Sequence, residues 1–196
     1  MLEVLKSRLQ DPLVRVLLVL GTASIAATVV LVGWFTQPDR FARGYAPKQP
    51  IYFSHRLHAG DLSIHCLYCH SGARPSWNSR ITGVPPVETC MNCHRVTRTD
   101  RPDIQRLTRL YDNDEKLEWN RVHALPDHVY FDHRPHVNAG IVCQTCHGPV
   151  QTMDVLARRM SMRMSNCLGC HRAPREALPP GSSIRRGPEE CSACHR

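Results

Sequence analysis

YFDHRPHVNAGIVCQTCH, residues 130–147, holds two kinds of histidine. His147 closes a C-x-x-C-H run, in which Cys143 and Cys146 can add to the vinyl groups of a haem while the adjoining imidazole takes one axial position on the iron. His133 and His136 stand in F-x-H-x-x-H, with no cysteine beside them, and are available to the far side of an iron. The same unit occurs earlier as YFSHRLH at 52–58, with His55 and His58, followed by Cys66, Cys69 and His70.

All 10 cysteines fall into such pairs: Cys66/Cys69, Cys90/Cys93, Cys143/Cys146, Cys167/Cys170 and Cys191/Cys194. A histidine follows each pair directly, at His70, His94, His147, His171 and His195. Zinc sites and redox disulfides also use C-x-x-C, but neither chemistry requires a histidine at that position every time. The pairs therefore predict five covalent haems c, with these five histidines as proximal ligands. Because such attachment takes place outside the cytoplasm, they also predict the compartment.

The spacing indicates a duplication. His70 to Cys90, His147 to Cys167 and His171 to Cys191 are each 20 positions apart. His58 precedes Cys66 by 8 positions and His136 precedes Cys143 by 7. One ancestral module, used once with two sites and once with three, accounts for this. Only 6% of residues are aromatic, Gly and Pro number 11 and 15, and mean hydropathy is −0.34. A core of side chains alone would be thin for this length, and haem supplies the missing apolar bulk.

Residues 16–35 carry no charge and, as a helix, span about 30 Å, the thickness of a bilayer's hydrocarbon core. A cleaved signal peptide would have a shorter apolar run ending in a small-x-small site, so a retained anchor is expected. The expected organisation is a cytoplasmic amino terminus at 1–15, a transmembrane anchor at 16–35 and an extended tether at 36–51. A two-haem block at 52–94, a helical connector at 95–121 and a three-haem block at 122–196 follow. Within the connector, Pro102 opens a helix with Ile104, Leu107 and Tyr111 at helical spacing. The fold expected is a multihaem cytochrome c, mostly α and irregular with little sheet, behind one N-terminal transmembrane helix.

Five six-coordinate irons need five distal ligands, and seven histidines remain: 55, 58, 65, 123, 128, 133 and 136. The F-x-H-x-x-H pattern resembles that of class III multihaem cytochromes. The resemblance implies that His55 caps the Cys66/Cys69 haem, His58 the Cys90/Cys93 haem, His133 the Cys143/Cys146 haem and His136 the Cys167/Cys170 haem. It also implies a ligand for the last haem just before the preceding motif, where the chain reads MSMRMSN at 160–166. Met164 is the expected ligand, with His123 as its rival, and His65 and His128 are expected to meet propionates or solvent.

RVHALPDHVYFDHRPHVNAGIVCQTCHGPV, with YFSHRLHAG, CLYCHSGA, CMNCHR and CLGCHR, resembles the membrane-anchored pentahaem cytochrome subunit of alternative complex III. The likeness runs from the anchor to the last haem site, and departs from the family's frequent Gly-Trp at Ser165-Asn166. It implies a relay in a quinol:acceptor oxidoreductase of the cytoplasmic membrane, with the amino terminus cytoplasmic and the haem domain periplasmic. The implied partners are integral-membrane quinol-oxidising subunits, an iron-sulfur subunit and monohaem cytochrome subunits. A soluble cytochrome c, a blue copper protein or a terminal oxidase would accept the electrons.

Two other functions compete. A pentahaem reductase needs an iron with an open position, often marked by C-x-x-C-K, which is absent here. A free-standing tethered quinol dehydrogenase shares the anchor and the haems. The formal charge of +8 gives no warrant for nucleic-acid binding, because five haems bring about ten propionate charges to pair with it.

Overall fold

The first helix forms where sequence and capping agree. The computed structural model describes residues 10–36, 42–73 and 83–195. Lys6 and Arg8, the 37–41 part of the expected tether and Arg196 lie outside these residues. Helix α1, Pro12–Phe35, starts at Asp11, whose carboxylate accepts from Leu13 N at 2.8 Å, and Pro12 occupies the first turn. It has 24 residues, an 18-residue stretch of it has a mean hydropathy of 2.4, and it is long and apolar enough to cross a membrane. Within it Thr22 and Thr28 donate back to the carbonyls of Leu18 and Ser24, which satisfies both hydroxyls on an apolar surface.

Residues 42–196 form a second compact unit. Among the described residues it has no sheet, only an isolated antiparallel bridge between Val129 and His195. Short helices punctuate irregular chain: α2 Cys66–Cys69, α3 Val87–His94, α4 Pro102–Asp112, α5 His133–Asn138, α6 Gln144–His147, α7 Met164–Arg172 and α8 Cys191–Cys194. A π-helical turn at Arg56–Asp61 packs on a 3-10 turn at Val150–Thr152.

The side-chain core is small, as the composition requires. Ile51, Val87, Met91 and Leu107 form its buried cluster, with Ile104, Leu110, Tyr111, Leu117 and Trp119 packed around them. Helix α4 supplies one wall because its apolar residues recur every three to four positions, and α3 supplies the opposing one. The start of the first F-x-H-x-x-H unit is tied to α4 by Arg106, which donates to Pro50 O at 2.6 Å, and by Tyr52 N, which donates to Asp103.

The tether is shorter than its composition implied. Gly44 N donates to Arg158 O at 2.7 Å, and Arg158 N donates to Tyr45 O at 3.0 Å. Gln49 and Lys48 are likewise bonded to Asn120. Main-chain and amide groups that a Pro- and Lys-bearing run would leave to water are satisfied inside the unit, so residues 44–49 are part of it.

Candidate functional site

Each C-x-x-C-H lies on one helical turn. His70 N donates to Cys66 O at 2.9 Å, His147 N to Cys143 O at 3.0 Å and His195 N to Cys191 O at 2.8 Å. Cys93-His94 and Cys170-His171 end longer helices. Positions i, i+3 and i+4 share a helix face, so two thiols and one imidazole converge on the same side. No disulfide joins any of the ten cysteines.

The two F-x-H-x-x-H units repeat in three dimensions. Phe53 meets His55 edge-on at 4.9 Å and stacks on His58 at 4.5 Å. Phe131 meets His133 edge-on at 4.7 Å and lies tilted against His136, also at 4.7 Å. In both units the second histidine donates from Nδ1 to the carbonyl four residues earlier, His58 to Ser54 and His136 to Asp132, each at 2.9 Å. The aromatic residue therefore orients both imidazoles of its unit.

Opposed imidazoles follow from this placement. His58 faces His94 with ring centroids 6.2 Å apart, His133 faces His147 at 6.3 Å and His136 faces His171 at 6.0 Å. Metal–nitrogen bonds of roughly 2 Å on both sides of one ion would put trans imidazole centroids about 6.3 Å apart. His55 is lowered first by burial and then by the charge of His70, ahead of the other histidines. Nδ1 of His70 donates to Gly83 O, that of His94 to Thr97 O and that of His171 to Pro188 O. Such bonds fix the tautomer and leave Nε2 as the free donor for a metal.

Burial reinforces that state. It pushes His55 and His147 down to about 4, with neighbouring histidines adding to the effect, and it also lowers His123. These imidazoles are neutral at physiological pH. His55 Nδ1, His123 Nε2 and Arg158 Nε are buried without a partner, as fits an interior that receives further polar groups. The residues present thus fit haem by tautomer, spacing and orphaned polar atoms.

Burial also raises the thiols of Cys69, Cys90, Cys143, Cys146 and Cys167, and adjacent thiols add to it. Cys69 lies near Cys93 and Cys90, Cys143 near Cys66, Cys146 near Cys167 and Cys170, and Cys167 near Cys194. The pairs therefore adjoin in the order 90/93, 66/69, 143/146, 167/170, 191/194. Asn92 donates to the Tyr68 hydroxyl at 3.1 Å between the first two, and Arg172 bonds Glu189 at 2.8 Å between the last two.

The remaining candidates lie as follows. His65 caps α2, its Nδ1 accepting from Leu67 N at 3.2 Å. His123 stands edge-on to His147 at 4.5 Å, beside the third motif and not the fifth. Met164 opens α7 and is 62% exposed. The ring opposite His195 is that of His128, at 5.6 Å and 19°. Nothing in the local sequence marks His128, since it belongs to no motif.

The C-x-x-C-H turns and opposed imidazoles suit covalent haem attachment, and no sheet accompanies them among the described residues. Residues 129–196 match the family model of cytochrome c7 and related cytochrome c. The chain is similar to the menaquinone reductase multihaem cytochrome c subunit of Nitratidesulfovibrio vulgaris, 26% identical over 195 residues, covering 88% of each chain.

Proposed function

We propose that the chain is a membrane-anchored electron-transfer subunit with five haems c, working between a quinone-reactive membrane partner and a periplasmic redox partner. The observation that carries this reading is the series of opposed imidazole pairs, His58/His94, His133/His147 and His136/His171. The ten cysteines would anchor the haems, the five C-x-x-C-H histidines would ligate one face, and His55, His58, His133 and His136 would ligate the other face of four of them. Haem c, when bound, supplies a one-electron iron couple.

The protein's own part is positional. Nδ1–carbonyl bonds keep Nε2 directed and basic, Phe53 and Phe131 fix the ring planes, and burial lowers His55 and His147. Cysteine pairs that adjoin would favour passage from one end of the series, Cys90/Cys93, to the other, Cys191/Cys194. Helix α1 would hold the domain at the membrane, with the haem-bearing unit on the periplasmic side where covalent attachment takes place.

Partners follow from the two likenesses. Alternative complex III makes quinol the electron source, whereas the relative named as a menaquinone reductase subunit favours quinone as the sink of the same relay. Intact mass of the mature chain should show five haem additions. Purification in mild detergent should recover polytopic membrane subunits and an iron-sulfur protein; recovery of the chain alone would favour a free-standing quinol dehydrogenase. Assays of the recovered complex with quinol plus an oxidised carrier, and with quinone plus a reduced one, assign the direction.

A further inference from the structure

We infer that His128 is the second axial ligand of the iron held by Cys191, Cys194 and His195, so that this site too is bis-imidazole and Met164 ligates no iron. The inference rests on the five-haem reading above. The His128 and His195 rings are 5.6 Å apart and 19° from parallel, beside 6.0–6.3 Å for the three other opposed pairs. That separation needs only a small outward adjustment to reach the distance expected across an iron.

The backbone brings the two rings together. Val129 and His195 form the antiparallel bridge, and Tyr130 N donates to Cys194 O at 2.7 Å. His195 Nδ1 donates to the carbonyl of His128 at 3.2 Å, which leaves His195 Nε2 for the metal. Val129 N donates to Pro126 O at 2.9 Å, turning the chain so that His128 comes to the fifth motif. Residues 128 and 133 thus serve different irons, because α5 begins only after the bridge has tied 129–130 to the carboxyl-terminal turn.

Neither rival has this relationship to His195. The His123 ring stands perpendicular to His147, beside the third motif. Met164 is on the helix that presents Cys167, Cys170 and His171 to the preceding site, and its side chain is exposed. A bis-imidazole fifth site would also lack the high potential that a methionine ligand confers. The last site of the series would then resemble its neighbours in ligand chemistry.

The test is spectroscopic, on the full-length holoprotein in detergent. Wild-type ferric protein should show five low-spin haems and no near-infrared charge-transfer band of methionine-ligated iron. His128→Ala should convert one haem to high spin by electron paramagnetic resonance, while Met164→Ala leaves all low-spin. Should His128→Ala fail to mature, His128→Met provides the second arm, in which the methionine band should appear and one potential should rise. A methionine band in the wild type, a high-spin haem in Met164→Ala, or five low-spin haems in His128→Ala would overturn the assignment. Intact mass read on the same samples separates this from the broader reading: fewer than five haems in mature wild type would count against the relay itself.

Discussion

Asp154 accepts a 2.7 Å hydrogen bond from the hydroxyl of Ser54, across 100 positions of chain. Its other oxygen accepts from Arg56 Nε at 2.8 Å, and that bond, followed by the one from Ser54, holds the Asp154 carboxyl below the usual carboxylate range. Ser54 is itself buried, accepts from Leu57 N at 3.0 Å and offers its carbonyl to His58. One buried hydroxyl therefore couples the first F-x-H-x-x-H unit to the chain that follows the third cysteine pair. Ser54→Ala should cost about 1–2 kcal/mol of local stability, or roughly tenfold faster amide exchange, in residues 56–62 and 150–154. Hydrogen-exchange mass spectrometry checks this, and exchange unchanged in both segments would remove the coupling.

Phe53 and Phe131 should act strictly within their own units. Replacing Phe53 with Leu removes the surface against which His55 and His58 are set, and leaves the His133 and His136 rings untouched. Phe131→Leu should do the reverse. The low-spin paramagnetic signals of two haems should shift in each variant, and the two shifted sets should not overlap.

Gly187 passes against the face of His171. A methyl group there would fall 2.7 Å from His171 Cγ, closer than carbon atoms approach, while Gly187 N donates to His171 O at 2.8 Å. Gly187→Ala should displace the imidazole of the fourth motif. Redox titration should find one potential changed, or intact mass should find one haem lost, with the other sites as in the wild type.

Gly60 faces backbone rather than a ring. An added Cβ would come within 2.4 Å of Gln151 O, which cannot rotate away. Gly60→Ala should separate the Arg56–Asp61 turn from Val150–Thr152 at a cost of about 1–3 kcal/mol. A thermal melt followed by far-ultraviolet circular dichroism should show a lower midpoint than wild type.

Leu107 is 3% exposed in the only sizeable cluster of buried apolar side chains among the described residues. Leu107→Ala should destabilise the holoprotein by about 2–4 kcal/mol in denaturant titration, with haem content unchanged. An effect below about 1 kcal/mol would mean that covalent cofactors carry nearly all of the stability.

What the sequence by itself determined is local. A C-x-x-C-H run needs only the helical period to bring two thiols and an imidazole to one face, and α1 needs only the uncharged run 16–35 and the cap that Asp11 and Pro12 provide. The Phe-His units were legible for the same reason, since their aromatic contacts span five residues or fewer. Tertiary structure decided the rest. His128 meets His195 through a main-chain bridge over 66 intervening positions, and Cys143 comes beside Cys66 because turns distant in sequence pack together. Residues 44–49 join the domain through bonds to Asn120 and Arg158. Such pairings are set by which distant backbone groups satisfy one another, and no local spacing encodes that choice.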